Sequence, residues 1–145
     1  MIQIIAGGKA HKGWLADGIA EYEKRLSKKY QLKWTFVPEE KLNSTLLKWP
    51  FSTANYIILL DEHGENASSI EFSDKLERVW NSGLNVCFII GGPYGFPPKV
   101  LTKANYVWSL GREVLPHELA RLIVAEQIYR AQEIQKKSGY HHGRS

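Results

Sequence analysis

NVCFIIGGPYGFPP, residues 85–98, decides how the rest of the chain is read. Asn85–Ile90 is a short apolar run rich in β-branched and aromatic side chains, the pattern of a strand buried on both faces. It breaks off into Gly91-Gly92-Pro93, a further glycine at Gly95 and the pair Pro97-Pro98. A buried strand therefore runs straight into a tight, backbone-rich loop. Gly91 and Gly92 permit positive φ and close approach of the backbone to a ligand; they equally suit a tight strand-to-helix turn.

Working outward, strands and helices alternate. Ile2–Ala6 reads as a short strand closed by Gly7-Gly8. In WLADGIAEYEKRLSKKY the apolar Leu15, Ile19, Tyr22 and Leu26 recur at a helical period. Leu32–Val37 alternates as a strand and stops at Pro38, and EEKLNSTLLKWP is a weak helix ended by Pro50. Tyr56–Leu60 is a second buried strand, followed by a turn at DEHGEN. SSIEFSDKLERVWNSG is a helix with Ser68 or Ser69 as its cap and an acid three residues on, stopped at Gly83. After a short helix at PPKVLTKA comes a strand at Tyr106–Leu110. Pro116 then opens a long helix that closes at Gly139.

This order predicts one α/β domain over residues 1–145, a mostly parallel sheet sandwiched by helices. In such sheets ligands sit outside the carboxyl ends of the strands. Three loops qualify: DEHG after Leu60, GGPYG after Ile90 and GREVLPHE after Leu110. The last helix is apolar at Leu119, Ala120, Leu122, Ile123, Val124 and Ala125, interrupted by Arg121. Such a helix must be covered on nearly all sides, either by other segments of the chain or by a second subunit.

With 145 residues, 43% of them hydrophobic, the chain can bury a proper core. It has no run long enough to span a membrane and no signal-peptide pattern at its start, which predicts a cytoplasmic protein with no membrane partner. The lone Cys87 lies in an apolar strand and reads as core. The net charge is +4, and residues 1–33 hold seven Lys/Arg against three acids, so the excess is concentrated there. Arg130, Lys136, Lys137, His141, His142 and Arg144 add a second basic end. Two basic ends suit a polyanionic partner; ordinary surface lysine is the bland alternative.

The chemistry-bearing residues are sparse. GGPYG is neither the dinucleotide fingerprint nor a phosphate-binding P-loop, which disfavours a flavodoxin-type nucleotide enzyme. No Cys, His and acid cluster has metal-ligand spacing, so no metal is expected. Asp61-Glu62 follow a strand, as catalytic acids often do, but also suit a turn. His117 at a helix start either contacts substrate or caps the turn. A site so lightly equipped fits a reaction whose cosubstrate is already activated, where placement alone is worth roughly 7–11 kcal/mol.

FIIGGPYG, YVWSLGREVLPHELARLIVAEQIYRA and the terminal YHH, together with IQIIAGGK and EYEKRL near the start, resemble the bacterial ribosomal large-subunit methyltransferase H family, small enzymes of the SPOUT class. The resemblance covers nearly the whole chain. It implies an α/β sheet with a deep C-terminal trefoil knot, S-adenosyl-L-methionine bound in that knot, and an obligate homodimer. It also implies methylation of N3 of a pseudouridine in 23S rRNA on assembled ribosomes. Carried over residue by residue, it implies cofactor contacts from Leu60, Gly91, Gly92, Leu110, Gly111, Arg112, Glu113, Val114 and Leu115. Tyr140, His141 and His142 become candidates to orient the base or accept its proton, and His117, Arg130 and Arg144 candidates to hold substrate. The chain departs from the family's usual Tyr-His-Arg-Glu or Tyr-His-His-Glu ending: YHHGRS lacks the acid. A SPOUT methyltransferase acting on tRNA and a non-catalytic ribosome-binding module are the rival readings.

Overall fold

The computed structural model describes residues 1–92, 95–111 and 115–144, side chains of 138–144 excepted. Five strands form one sheet: β1 (Ile2–Gly7), β2 (Leu32–Val37), β3 (Asn55–Glu65), β4 (Asn85–Ile90) and β5 (Tyr106–Trp108). Their order is β2-β1-β4-β3-β5, and every adjacent pair is parallel. The helices are α1 (Gly13–Arg25), α2 (Glu39–Lys48), α3 (Ser69–Asn81), α4 (Pro98–Leu101) and α5 (His117–Arg144), with a 3-10 turn at Lys28–Tyr30. The expected parallel α/β sandwich is therefore present.

Side chains alternate across a strand, so each inner strand feeds two cores. Ile2, Ile4 and Ala6 of β1, Ile58 of β3, and Val86, Phe88 and Ile90 of β4 face α3 and α5. There Phe72 stacks on Trp108 with ring centroids 4.2 Å apart. Ile5, Ile57, Leu59, Cys87 and Ile89 point the other way, against Leu42 and Leu46 of α2 and Val100 of α4. α1 lays Leu15 and Ile19 against Ala125 of α5.

Several expected boundaries differ: α1 stops at Arg25, short of Tyr30, α4 covers only Pro98–Leu101, and three further differences bear on the site and the last helix. β3 does not stop at Leu60 but runs to Glu65. Trp108 of β5 pairs with both Leu60 and Glu65, so residues 61–64 are an excursion within one ladder. Gly64 makes the return fit: a Cβ there would sit 2.6 Å from the Val107 carbonyl oxygen. β5 ends at Trp108 rather than Leu110. α5 passes through Gly139 to Arg144, since an isolated glycine lowers helix stability by only about 1 kcal/mol.

The cover over α5 comes largely from its own chain. α5 lies against the sheet and packs on both α1 and α3. Buried Gln132 donates to the Arg25 carbonyl (3.0 Å) and accepts from the Ser27 amide (2.6 Å). Ser73 Oγ donates to the Ala131 carbonyl at 3.1 Å. Leu119, Leu122 and Ile123 remain half-buried.

Candidate active site

A cavity of about 1020 Å³ opens at the carboxyl ends of β3, β4 and β5. It joins the three loops that the strand-end rule singles out. Leu60, Gly91, Gly92, Leu110, Gly111, Leu115 and His117 all line it. Arg112, Glu113 and Val114 lie outside the described residues, as do the side chains of Tyr140, His141, His142 and Arg144. Arg130 stands elsewhere, further along α5, where its Nε meets Glu126 Oε2 at 3.0 Å.

The walls are built in different ways. Gly111, at φ +151°, carries the chain away from β5 in a conformation that favours glycine. Its amide donates to Ser109 Oγ at 3.2 Å. Neither Gly91 nor Gly92 has positive φ, so the conformational freedom allowed by the sequence is not what they use. Gly91 is needed for close approach, but the approaching group is Phe96: a Cβ on Gly91 would stand 2.5 Å from the ring. Gly92 faces Glu39, whose carboxyl carbon would be 3.4 Å from such a Cβ.

The rim is acidic on one side. Asp61, with 14% of its side chain exposed, accepts from the His63 amide at 2.9 Å and lies 3.1 Å from His63 Nδ1. On another side His117 Nε2 meets Glu39 Oε1 at 2.8 Å, tying the start of α5 to the start of α2. His117 therefore both lines the cavity and has a carboxylate partner, and the choice between substrate contact and structural cap is not exclusive.

Glu39, Phe96 and Arg121 are the residues that local reading passes over. Arg121 is fully buried. Its two Nη atoms donate to the carbonyls of Gly7 and Lys9, each at 2.9 Å, and its guanidinium lies 5.2 Å from the Phe36 ring centre. Burial pulls its pKa below the ordinary value, while Glu118 and Glu39 oppose that fall. The one signal in the sequence is its charge, alone among apolar neighbours.

Apolar walls from Leu60, Leu101, Val107 and Leu110, with Asp61 and Glu62 at the rim, suit a ligand with an apolar part and a cationic or hydrogen-bond-donating part. Among the described residues there is no cluster of metal-ligating side chains and no helix long and apolar enough to cross a membrane.

These features define a parallel α/β ligand-binding domain with its pocket at the strand ends, the usual place for an enzyme site in such sheets. The chain belongs to the SPOUT methyltransferase family: residues 1–141 match the family described as "Predicted SPOUT methyltransferase". It is 35% identical over 152 residues to the ribosomal RNA large subunit methyltransferase H of Hydrogenovibrio crunogenus, covering 97% of each chain. It is 38% identical over 158 residues to the protein of the same name from Streptococcus uberis, covering 97% of this chain and 98% of that one. In fold it is similar to the SpoU methyltransferase AviRb of Streptomyces viridochromogenes, solved in complex with AdoMet: TM-score 0.50, 15% identity, covering 92% of this chain and 58% of that one. The family resemblance and the α/β architecture drawn from the sequence stand.

Proposed function

We propose that this protein is an S-adenosyl-L-methionine-dependent methyltransferase of 23S rRNA, acting on N3 of a pseudouridine in the assembled large subunit or ribosome. The observation that carries this reading is the likeness, over nearly the full length, to relatives named ribosomal RNA large subunit methyltransferase H. The reading includes one domain over residues 1–145, a cytoplasmic homodimer, and a deep C-terminal trefoil knot.

S-adenosyl-L-methionine supplies a methyl group already activated on a sulfonium. The residues that would hold it are Leu60, Gly91, Gly92, Leu110, Gly111 and Leu115, joined by Arg112, Glu113 and Val114. The apolar walls suit the adenine, and the acidic rim at Asp61 and Glu62 suits a donor that carries positive charge. The protein's remaining work is on the acceptor. An imide nitrogen becomes nucleophilic once its proton leaves, and an imidazole exchanges protons near neutral pH. His141 or His142 takes that proton in this proposal, with Tyr140 stacking on the base and Arg144 on a phosphate. His117 and Arg130 complete the substrate contacts.

The test is transfer of labelled methyl to assembled ribosomes, large subunits, free 23S rRNA and tRNA, followed by mass spectrometry of the product nucleoside. Label on N3 of a pseudouridine, with ribosomes or large subunits far ahead of the free RNAs, is the expected result. Preferential labelling of tRNA, or donor binding with no transfer to any RNA, would overturn it in favour of the tRNA enzyme or the binding module. A chain lacking residues 140–145 should bind donor normally and transfer nothing; equal transfer would remove the tail from the chemistry.

A further inference from the structure

Residues 8–14, from the end of β1 into the first turn of α1, are pinned from inside and bare outside. The inner hold is the Arg121 guanidinium on the carbonyls of Gly7 and Lys9. His11 adds a second anchor, its ring edge-on to Trp34 at 4.8 Å and to Phe36 at 5.3 Å. Gly8 and Gly13, at φ +108° and +63°, turn the chain at either end. A buried guanidinium must offset its own desolvation, so it is a demanding way to hold a surface loop.

What the loop displays points away from the packing described above. Trp14 is 72% exposed, more than any other large apolar side chain described. Lys9 and Lys12 are exposed, and neither has a carboxylate within ion-pair distance among the described residues. The display stands at the site's end of the sheet. β1 pairs with β4, and a Cβ on Gly7 would come within 3.6 Å of the Gly92 amide in the pocket wall.

We infer that this loop is an RNA-recognition element: Trp14 stacks on an unpaired nucleobase of the substrate while Lys9 and Lys12 meet flanking phosphates. Every base offers a π-face, and an exposed indole on the same loop as two exposed lysines matches a strand of bases and phosphates. Charge argues for RNA over a second copy of this chain as the occupant. A second copy would bring the same lysines, from a segment with seven basic residues against three acids. The inference rests on the rRNA reading above and adds a specific contact to it.

The experiment measures binding of the full chain, Trp14→Ala and Lys9→Ala/Lys12→Ala to bacterial large subunits across a salt series. Calorimetry with S-adenosylmethionine and light scattering run alongside. Trp14→Ala should weaken binding about 5- to 150-fold, the range for loss of one stacked base. The double lysine variant should lower the slope of log affinity against log salt by about 1.4, or 0.7 per lost phosphate contact on single-stranded RNA. Donor affinity and particle mass should not change. Undiminished large-subunit binding by Trp14→Ala would overturn the inference and leave the rRNA reading intact. A fall in particle mass in that variant would assign Trp14 to a subunit interface instead. A wild-type chain that binds neither donor nor large subunits would overturn the functional reading, and this inference with it.

Discussion

Replacing Gly91 by alanine tests what the glycine is for. The added methyl carbon would sit 2.5 Å from the Phe96 ring, where ordinary contact begins at 3.4 Å. The ring must retreat by roughly 1 Å, and overpacking of that kind typically destabilises by about 1–3 kcal/mol. Phe96 packs against the core on the α2 and α4 side and also lines the cavity, so its displacement should lower donor affinity as well. The decisive assay is a double-mutant cycle read by urea unfolding and by calorimetry with S-adenosylmethionine. Gly91→Ala and Phe96→Ala should each be destabilised. The double variant should be more stable than their sum by about 1–2 kcal/mol, because the clash is gone once the ring is removed. Strict additivity would refute the argument. So would a Gly91→Ala protein of full stability that cannot bind donor, since that would mean the methyl intrudes on the ligand and not on Phe96.

Two further outcomes follow from buried and capping groups. Burial pushes the Cys87 thiol up to about 12, so native protein at pH 8 should resist iodoacetamide and denatured protein should react readily; labelling followed by mass spectrometry checks this. At the start of α3, Ser68 Oγ accepts from the Glu71 amide, and the Ser68 amide donates to the Glu71 carboxylate, at 3.1 Å each. These bonds, with the backbone contribution first, hold the Glu71 carboxyl below its ordinary 4.5. A depressed carboxyl stabilises the fold above its unfolded value, and that contribution is lost as pH falls through the lower folded value. The stability gap between wild type and Glu71→Gln should therefore narrow as pH drops below 4.5; a gap that stays constant would show that the carboxylate takes no part.

Much of this protein is legible in local pattern. Continuous apolar runs such as NVCFII identified buried parallel strands, since only a sheet covered on both faces can hide both sets of side chains. Alternation of strand and helix then pointed to the carboxyl ends as the place for a candidate site. The loops after Leu60, Ile90 and Leu110 do meet in one cavity. The cap at Ser68 and Glu71 was equally readable, because its partners are three residues apart.

What tertiary structure alone decided depends on groups far apart in the chain. No local pattern shows that β3 resumes pairing at Glu65, since the register is set by where Trp108 of another strand arrives. Glu39 and His117, far apart in sequence, meet with Nε2 and Oε1 2.8 Å apart. Gly91 is small because Phe96 lies on it, not because its backbone needs an unusual φ. Arg121 stands out in sequence as a charge among apolar residues, yet its purpose is visible only once β1 brings the carbonyls of Gly7 and Lys9 beneath it. Periodicity records which face of an element avoids water, a property each segment carries by itself. Which polar groups meet in the dry space between elements is settled when the layers close, because that closure removes the water that would otherwise have satisfied them.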